Sequence, residues 1–277
     1  MKMNNDWLRR RALESIFFAK SGHPGGVLSS IDIINFLFCT EMNYTPNDFS
    51  RIDRDRFILS KGHSAPALYA VGAKVGIISI DRLNGLRKIN HELQAHTDRV
   101  TTPWVEASTG SLGQGFSFAI GEAKGLKMQS VQNRVYVMLG DGELQEGEVW
   151  EGAMFAAHEN LDNLCAVIDY NKMQSDDLNR NIMGIEPLVD KWKSFGWVVS
   201  EIDGHSSEDM KKAFSKARET NNKPTVIIAH TIKGKGVSFM ENSPTWHGSL
   251  ELKVSDFKQA LVELGADATE IGGIINE

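Results

Sequence analysis

Apolar side chains follow two different periods along this chain. Between residues 6 and about 20 they recur at helical spacing, which predicts an amphipathic helix. Short runs rich in Val and Ile predict buried strands. These runs are FILS (57–60), RVYVMLGD (134–141), LCAVIDY (164–170), WVVSEIDG (197–204) and PTVIIAHT (224–231). Further helices are predicted from SSIDIINFLF (29–38), EVWEGAMFAAHEN (148–160), PLVDKWKSFG (187–196) and SSEDMKKAFSKARET (206–220). Ser64 is a possible cap for the helix that follows FILS.

The alternation of strands and helices predicts the fold class. Val- and Ile-rich strands separated by helices are typical of a mostly parallel sheet covered on both faces. We therefore predict one doubly wound α/β domain over residues 1–277. Ligands of such sheets bind at the carboxyl ends of the strands. That edge should carry the loops SKGH (60–63), GDGE (140–143), DYNKMQ (169–174) and AHTIKGKG (229–236).

Composition narrows the class of protein. Apolar residues make up 41% and charged residues 24% of the chain, as in ordinary globular proteins. The formal charge of −6 argues against general affinity for nucleic acid or anionic membranes. No apolar run resembles a signal peptide or a membrane span, which predicts a cytoplasmic protein. Cys39 and Cys165 lie in apolar runs and are predicted to be buried, reduced thiols.

The GDG sequence suggests an anion and metal site. Asp141 directly follows a predicted strand, and Gly142 leaves room for a bulky anion to approach the backbone. The next predicted strand ends near Asn171. A carboxylate, an amide oxygen and a backbone carbonyl are hard donors suited to Mg²⁺ or Ca²⁺, and phosphate or water would complete the shell. The stretch therefore predicts a site for a metal-bound diphosphate.

The same stretch resembles the thiamine diphosphate motif, which starts at GDG and ends about thirty residues later at an Asn. More closely, GDGELQEGEVWEGAMFAAH and DYNKMQ resemble transketolase, as do SGHPGG (21–26), SKGH, EASTGSLGQG (106–115) and WHG (246–248). This resemblance implies the thiamine diphosphate-binding fold and a diphosphate-binding domain. It also implies thiamine diphosphate and Mg²⁺ as cofactors, with Ca²⁺ or Mn²⁺ as substitutes. By this resemblance Asp141 and Asn171 ligate the metal through side chains and Met173 through its carbonyl, while Gly142 and Glu143 bind the cofactor.

Four histidines carry the catalytic part of the resemblance. It implies that His23 lines the substrate channel and that His63 contacts the diphosphate. His96 occupies the place of a histidine that contacts the donor's first hydroxyl. His247 is implied to bridge diphosphate and substrate and to move protons, which suits a side chain with a pKa near neutral.

The resemblance implies further site residues. Gly110, Ser111 and Leu112 would contact the aminopyrimidine ring through their main chain. Glu146 and Glu151 match glutamates near a subunit interface, where they would share protons with the cofactor's activating carboxylate. The roles of Lys233 and Lys235 remain open, because each lysine could either shield phosphate charge or simply be solvated.

The resemblance implies that this chain supplies only one of the domains that the enzyme needs. A transketolase needs a pyrimidine-binding domain and a C-terminal domain, which we expect on a partner subunit in an α2β2 assembly. The expected reaction moves a two-carbon ketol unit from a ketose phosphate to an aldose acceptor. The tract AHTD around His96 departs from the family's GHP-acid pattern. This tract keeps open a specialised transketolase that acts on a branched, sulfonated or other pathway-specific sugar. A non-catalytic thiamine diphosphate-binding subunit is a further alternative, against which the four histidines argue.

Overall fold

The computed structural model describes residues 5–46, 49–248 and 251–276. Its strands are β1 (Arg56–Leu59), β2 (Val135–Gly140), β3 (Leu164–Tyr170), β4 (Val198–Asp203) and β5 (Thr225–His230). Its helices are α1 (Asp6–Ala19), α2 (Pro24–Phe36), α3 (Ala65–Lys74), α4 (Gln114–Met128), α5 (Gly147–His158), α6 (Asn179–Ile182), α7 (Leu188–Ser194), α8 (Ser207–Glu219), α9 (Val254–Glu263) and α10 (Ala268–Asn276). Every predicted strand and helix has a counterpart within a few residues.

The five strands form one sheet in the order β1-β2-β3-β5-β4, and each neighbouring pair is parallel. All strands therefore end at the same edge, and the loops that follow β1, β2, β3 and β5 are neighbours there. The register aligns Gly140 with Asp169, and Tyr170 with His230. Residues that follow these positions are brought close together although they are far apart in sequence.

Each face of the sheet is covered by its own apolar core. Alternate strand residues such as Tyr136 and Met138 pack with α1, α2, α3, α8 and α9. Their neighbours Val137 and Leu139 pack with α4, α5 and α7 on the opposite face. This two-sided burial explains why the strands read as continuous apolar runs. The predicted doubly wound α/β class is confirmed.

Two local predictions are wrong. Cys39 is exposed, because it lies in a π-helical segment (Leu37–Glu41) that extends α2 beyond the core. Cys165 is buried as expected. Ser64 precedes α3 but does not cap it, since its hydroxyl donates to the carbonyl of Gly26 at 3.0 Å. Within residues 5–46, 49–248 and 251–276, no helix combines the length and apolar composition needed to cross a bilayer.

Candidate active site

Four adjacent strands deliver side chains to one cavity. Lys61 follows β1, Asp141 follows β2, Asn171 follows β3, and Lys233 follows β5. Together they line a cavity of about 320 Å³ at the carboxyl edge of the sheet. The other lining residues are His23, Gly26, His63, His96, Gly110, Leu112, Gly140, Gly142, Glu143, Gln145, Glu146, Met173, Gln174, Ser175 and His247.

Asp141 lies at the base of this cavity with 2% of its surface exposed. Its carboxylate accepts from the backbone N–H of Gly142 at 2.8 Å and from that of Lys172. Burial, and then the nearby charge of Asp169, raise the pKa of Asp141 to about 6. A divalent cation bound beside this carboxylate would favour its charged form.

Gly142 starts a short 3-10 turn (Gly142–Gln145) that precedes α5, a turn that the sequence did not predict. A Cβ atom at this position would lie 3.1 Å from the Cβ of Gln174. The absent side chain therefore keeps the space beside Asp141 open, as expected from the sequence.

Oxygen donors from the loop after β3 complete the candidate metal site. The backbone N–H of Met173 donates to Oδ1 of Asn171 at 3.1 Å, and the carbonyl of Met173 accepts from Nζ of Lys233 at 3.3 Å. In the part of the chain that the structure describes, no three His, Cys, Asp or Glu side chains form a metal cluster. The candidate donors are instead one carboxylate, one amide oxygen and one carbonyl. This set fits Mg²⁺ or Ca²⁺ that also takes oxygens from a ligand or water.

The four predicted histidines surround the cavity, and each is half-buried. Ring centroids of His23 and His63 lie 5.3 Å apart, those of His23 and His247 5.9 Å, and those of His63 and His247 5.7 Å. His96 lies slightly further away, at 6.4 Å from His23. Residues from four separate segments therefore form one group, as the sequence motifs indicated.

Burial and neighbouring cations keep these imidazoles neutral. Burial, and then the charge of Arg87, lower the pKa of His23 to about 4. Burial and the charge of Lys233 lower the pKa of His247 to about 3. The pKa values of His63 and His96 are also lowered, again mainly by burial. A neutral imidazole donates a hydrogen bond from one ring nitrogen and accepts one at the other.

Lys61 and Lys233 are the buried cations of the site, and each is 1% exposed. Nζ of Lys61 pairs with the fully buried carboxylate of Asp169, which also accepts from Oγ of Ser29 at 2.6 Å. Nζ of Lys233 instead lies against His247 Nδ1 and the carbonyl of Met173. Burial lowers the pKa of Lys233 to about 8. An anionic ligand would compensate this charge.

Glu143 joins the loops around the cavity. Its buried carboxylate accepts from the backbone N–H groups of Gly113 and Gly140, both at 2.9 Å, and from the hydroxyl of Ser60. These partners belong to the loop before α4, to the end of β2 and to the end of β1. Glu143 lines the cavity, but its oxygens are occupied by the protein itself.

The loop before α4 approaches the cavity closely. Gly110 has a φ of 140°, and a Cβ atom there would lie 3.1 Å from the ring of His96. The AHTD tract is fixed to this loop by Thr97, whose hydroxyl donates to the carbonyl of Ala107 at 3.0 Å. The residue that departs from the GHP pattern thus holds His96 beside the Gly110 loop.

Most sequence-predicted site residues line the cavity, but Ser111 and Glu151 do not. Both are exposed. Lys235 is half-buried and pairs with Glu241 at 3.4 Å, so the two candidate lysines have different surroundings.

The sequence motifs did not single out Lys61, Asp169 or Arg87. Lys61 stands inside the quoted SKGH tract, and Asp169 ends an apolar strand as Asp141 does. Both positions indicate, from the sequence alone, a charged residue at the carboxyl edge of the sheet. Arg87 had no such signal, because it lies in an irregular segment where its guanidinium donates to Ser21 at 2.8 Å.

The chain also matches known proteins in sequence and in fold. Residues 2–275 match the family model "Transketolase, thiamine diphosphate binding domain". The chain is 42% identical over 257 residues to 6-deoxy-6-sulfo-D-fructose transketolase subunit SqwG of Clostridium sp. (strain MSTE9), covering 93% of both chains. It is 38% identical over 247 residues to one of the subunits of the apulose-4-phosphate transketolase of Phocaeicola vulgatus, covering 89% of this chain and 88% of that one.

A solved structure shows the same architecture. All of this chain superimposes on 45% of the transketolase from Leishmania mexicana, with a TM-score of 0.88 and 27% identity. The predicted fold and family resemblance are therefore confirmed. The chain belongs to the transketolase family and spans its thiamine diphosphate-binding domain.

Proposed function

We propose that this chain is the diphosphate-binding subunit of a two-chain transketolase. The complex would move a two-carbon ketol unit from a ketose phosphate to an aldose acceptor, using thiamine diphosphate and Mg²⁺. The observation that carries the proposal is the meeting of His23, His63, His247 and the Asp141–Asn171 oxygen set around one cavity. A cytoplasmic location remains a prediction from the sequence.

The donor set fits a metal-bound diphosphate. Asp141, Asn171 and the Met173 carbonyl would hold Mg²⁺, while the Lys233 ammonium, which contacts a carbonyl and an imidazole, would balance phosphate charge. In this arrangement the raised pKa of Asp141 returns toward its usual value, because a cation favours the ionised form. Bound thiamine diphosphate supplies a carbon nucleophile that takes up the two-carbon unit.

The histidines would move protons at the substrate's oxygens. Nδ1 of His247 faces the Lys233 ammonium, so the imidazole carries its proton on Nε2 and can donate a hydrogen bond to the substrate from there. Within the described residues, the buried Nδ1 of His23 has no hydrogen-bond partner. A substrate hydroxyl would satisfy this atom, which suits His23 to binding or proton transfer. Their lowered pKa values keep both rings neutral in the free chain, and the negative charge of a bound diphosphate would raise these values toward the range suited to proton transfer.

We further propose a partner subunit that supplies the pyrimidine-binding and C-terminal domains in an α2β2 complex. The two relatives called subunits match this chain over most of their length, whereas it spans 45% of the Leishmania transketolase. On α5, Met154 and Phe155 are 57% and 46% exposed and lie one turn from Glu151. An apolar face that includes a carboxylate suits a subunit interface.

The second candidate function is a transketolase that uses a specialised donor sugar. The names of the two relatives specify a sulfonated fructose and apulose-4-phosphate. The AHTD tract, anchored by Thr97, is the feature of this chain that departs from the general pattern beside His96. A panel of ketose phosphates, 6-sulfofructose and a branched ketose phosphate, assayed with the complete complex, distinguishes a general from a specialised enzyme.

Calorimetry tests the cofactor assignment directly. Titration of thiamine diphosphate with Mg²⁺ should show one site per chain in the complex, and Asp141→Ala should remove most of the affinity. No heat of binding in the assembled complex would contradict the proposal. A non-catalytic binding subunit would instead bind cofactor and show activity that is indifferent to His23→Ala and His247→Ala.

A further inference from the structure

The Lys233 loop (residues 231–236) is held on the side opposite the cavity by a separate polar cluster. The backbone N–H of Ile232 donates to Nε2 of His205 at 2.9 Å. At the other end of the loop, Nε of Arg9 donates to the carbonyl of Lys235 at 3.0 Å. His205 lies in the loop between β4 and α8, and Arg9 lies on α1. Two distant elements thus fix the backbone on both sides of Lys233.

The hydrogen bonds define the tautomer of His205. Because Nε2 accepts from Ile232, the ring proton resides on Nδ1. Nδ1 lies 2.5 Å from Oδ2 of Asp32 and donates to it. The imidazole therefore forms a bridge from a buried carboxylate to the backbone of the Lys233 loop.

Asp32 is itself held firmly. Its carboxylate accepts from Nη2 of Arg9 at 2.6 Å and from Nδ2 of Asn5 at 2.7 Å, and the residue is 2% exposed. Burial would raise the pKa of Asp32, but the hydrogen bond from His205 and the charge of Arg9 keep it below its usual value. Asp32 thus presents a fixed, ionised partner to His205.

We propose that His205, oriented by Asp32, is a positioning residue that holds the Lys233 ammonium where it binds the diphosphate of the cofactor. This inference rests on the proposed function. His205 does not line the cavity, whereas Lys233 does. The imidazole therefore acts on the ligand through the backbone of the Lys233 loop.

The direct test measures amide hydrogen exchange of the Lys233 loop by mass spectrometry in the full chain without ligand. His205→Phe fills the same space but removes the acceptor of the Ile232 N–H. Exchange in the peptide containing Ile232 should rise at least about tenfold, because the amide loses its protein partner. His205→Gln can retain an acceptor near the position of Nε2 and should keep part of the protection.

A neighbouring histidine provides the matched control. His230 ends β5 close to the same loop, and its ring pairs with the exposed carboxylate of Glu201 at 3.1 Å. His230→Phe should leave exchange at Ile232 unchanged. Equal effects of His205→Phe and His230→Phe would show only general loosening and would overturn the proposal.

A double-mutant cycle tests the connection to Lys233. Calorimetry with inorganic pyrophosphate and with thiamine diphosphate, both with Mg²⁺, is carried out on the full chain assembled with its partner. His205→Phe should weaken binding about tenfold, as expected when one charge-assisted hydrogen bond is misplaced. In a Lys233→Met background the same change should have little further effect, because the ammonium it positions is absent.

The outcomes separate the two proposals. Wild-type chain that binds neither diphosphate overturns the proposed function, and this inference with it. If the wild-type chain binds normally and His205→Phe leaves the affinity unchanged, this inference alone is overturned. The same holds if His205→Phe lowers the affinity equally with Lys233 present and with Lys233→Met. Partial retention of affinity in His205→Gln supports it, because that variant keeps an acceptor for the loop.

Discussion

Nζ of Lys233 lies 2.6 Å from Nδ1 of His247, and the same ammonium contacts the carbonyl of Met173. One buried cation therefore touches a candidate proton-transfer group and a candidate metal ligand. Its charge adds to burial in lowering the pKa of His247 to about 3.

Lys233→Met should raise the pKa of His247 toward that of an ordinary histidine, because one of the causes of its depression is removed. The shift can be followed by NMR titration of the ring Cε1–H in the metal-free chain. Diphosphate affinity should fall about 10- to 100-fold with the loss of a charged donor. An unchanged titration of His247 would show that the two groups are not coupled in solution.

Glu143→Gln should destabilise the chain. The amide can replace only part of the acceptor capacity that Glu143 offers to Ser60, Gly113 and Gly140. The expected loss is about 1–3 kcal/mol in the free energy of unfolding, measured by urea denaturation. Glu151→Gln, at an exposed position on α5, serves as the control and should change stability by less than about 0.5 kcal/mol.

Magnesium binding should weaken in mild acid. The pKa of Asp141 is raised to about 6 in the free chain, and ligation requires the ionised carboxylate. The proton is mostly absent at pH 7 and mostly present at pH 5, so protonation competes with the metal as pH falls. The apparent affinity for Mg²⁺ with thiamine diphosphate should be about tenfold lower at pH 5 than at pH 7. Equal affinities in calorimetry at the two pH values would contradict the assignment of Asp141.

The two thiols should react at very different rates. Cys39 is exposed, whereas Cys165 is buried and its pKa is raised to about 11 by that burial. A thiol reagent such as DTNB should titrate one cysteine rapidly in the native chain and the second after denaturation. Cys39→Ser should abolish the fast phase. Two fast equivalents in native protein would mean that the sheet opens around β3.

Asp141 and Asn171 could be placed from the sequence because each lies at the end of an apolar strand. In a parallel sheet such ends meet at one edge, so strand identification alone brings the pair together. The four histidines were assigned by resemblance to transketolase motifs, and the structure places their rings around the same cavity. Their individual roles remain proposals.

The Lys61–Asp169 ion pair could not be predicted in the same way. The two residues are 108 positions apart, and their contact depends on side-chain directions at neighbouring strand ends. Glu143 illustrates the same difficulty. The resemblance implies a cofactor contact for Glu143, which stays a prediction, but the three protein groups that donate to its carboxylate could not be inferred from the sequence. Cys39 was misplaced because an apolar run shows composition, not which helix face points outward.

The strand order has a consequence for the stability of this protein in the cell. Lys61, Asp141, Asn171 and Lys233 come from β1, β2, β3 and β5, which are consecutive across the sheet. A partly assembled sheet would lack at least one of these contacts, so the coenzyme should recognise the finished fold alone. Ligand at about 100 times its dissociation constant would add about 2.7 kcal/mol to folding stability. Vitamin supply would then govern both turnover by the enzyme and resistance of the chain to proteolysis.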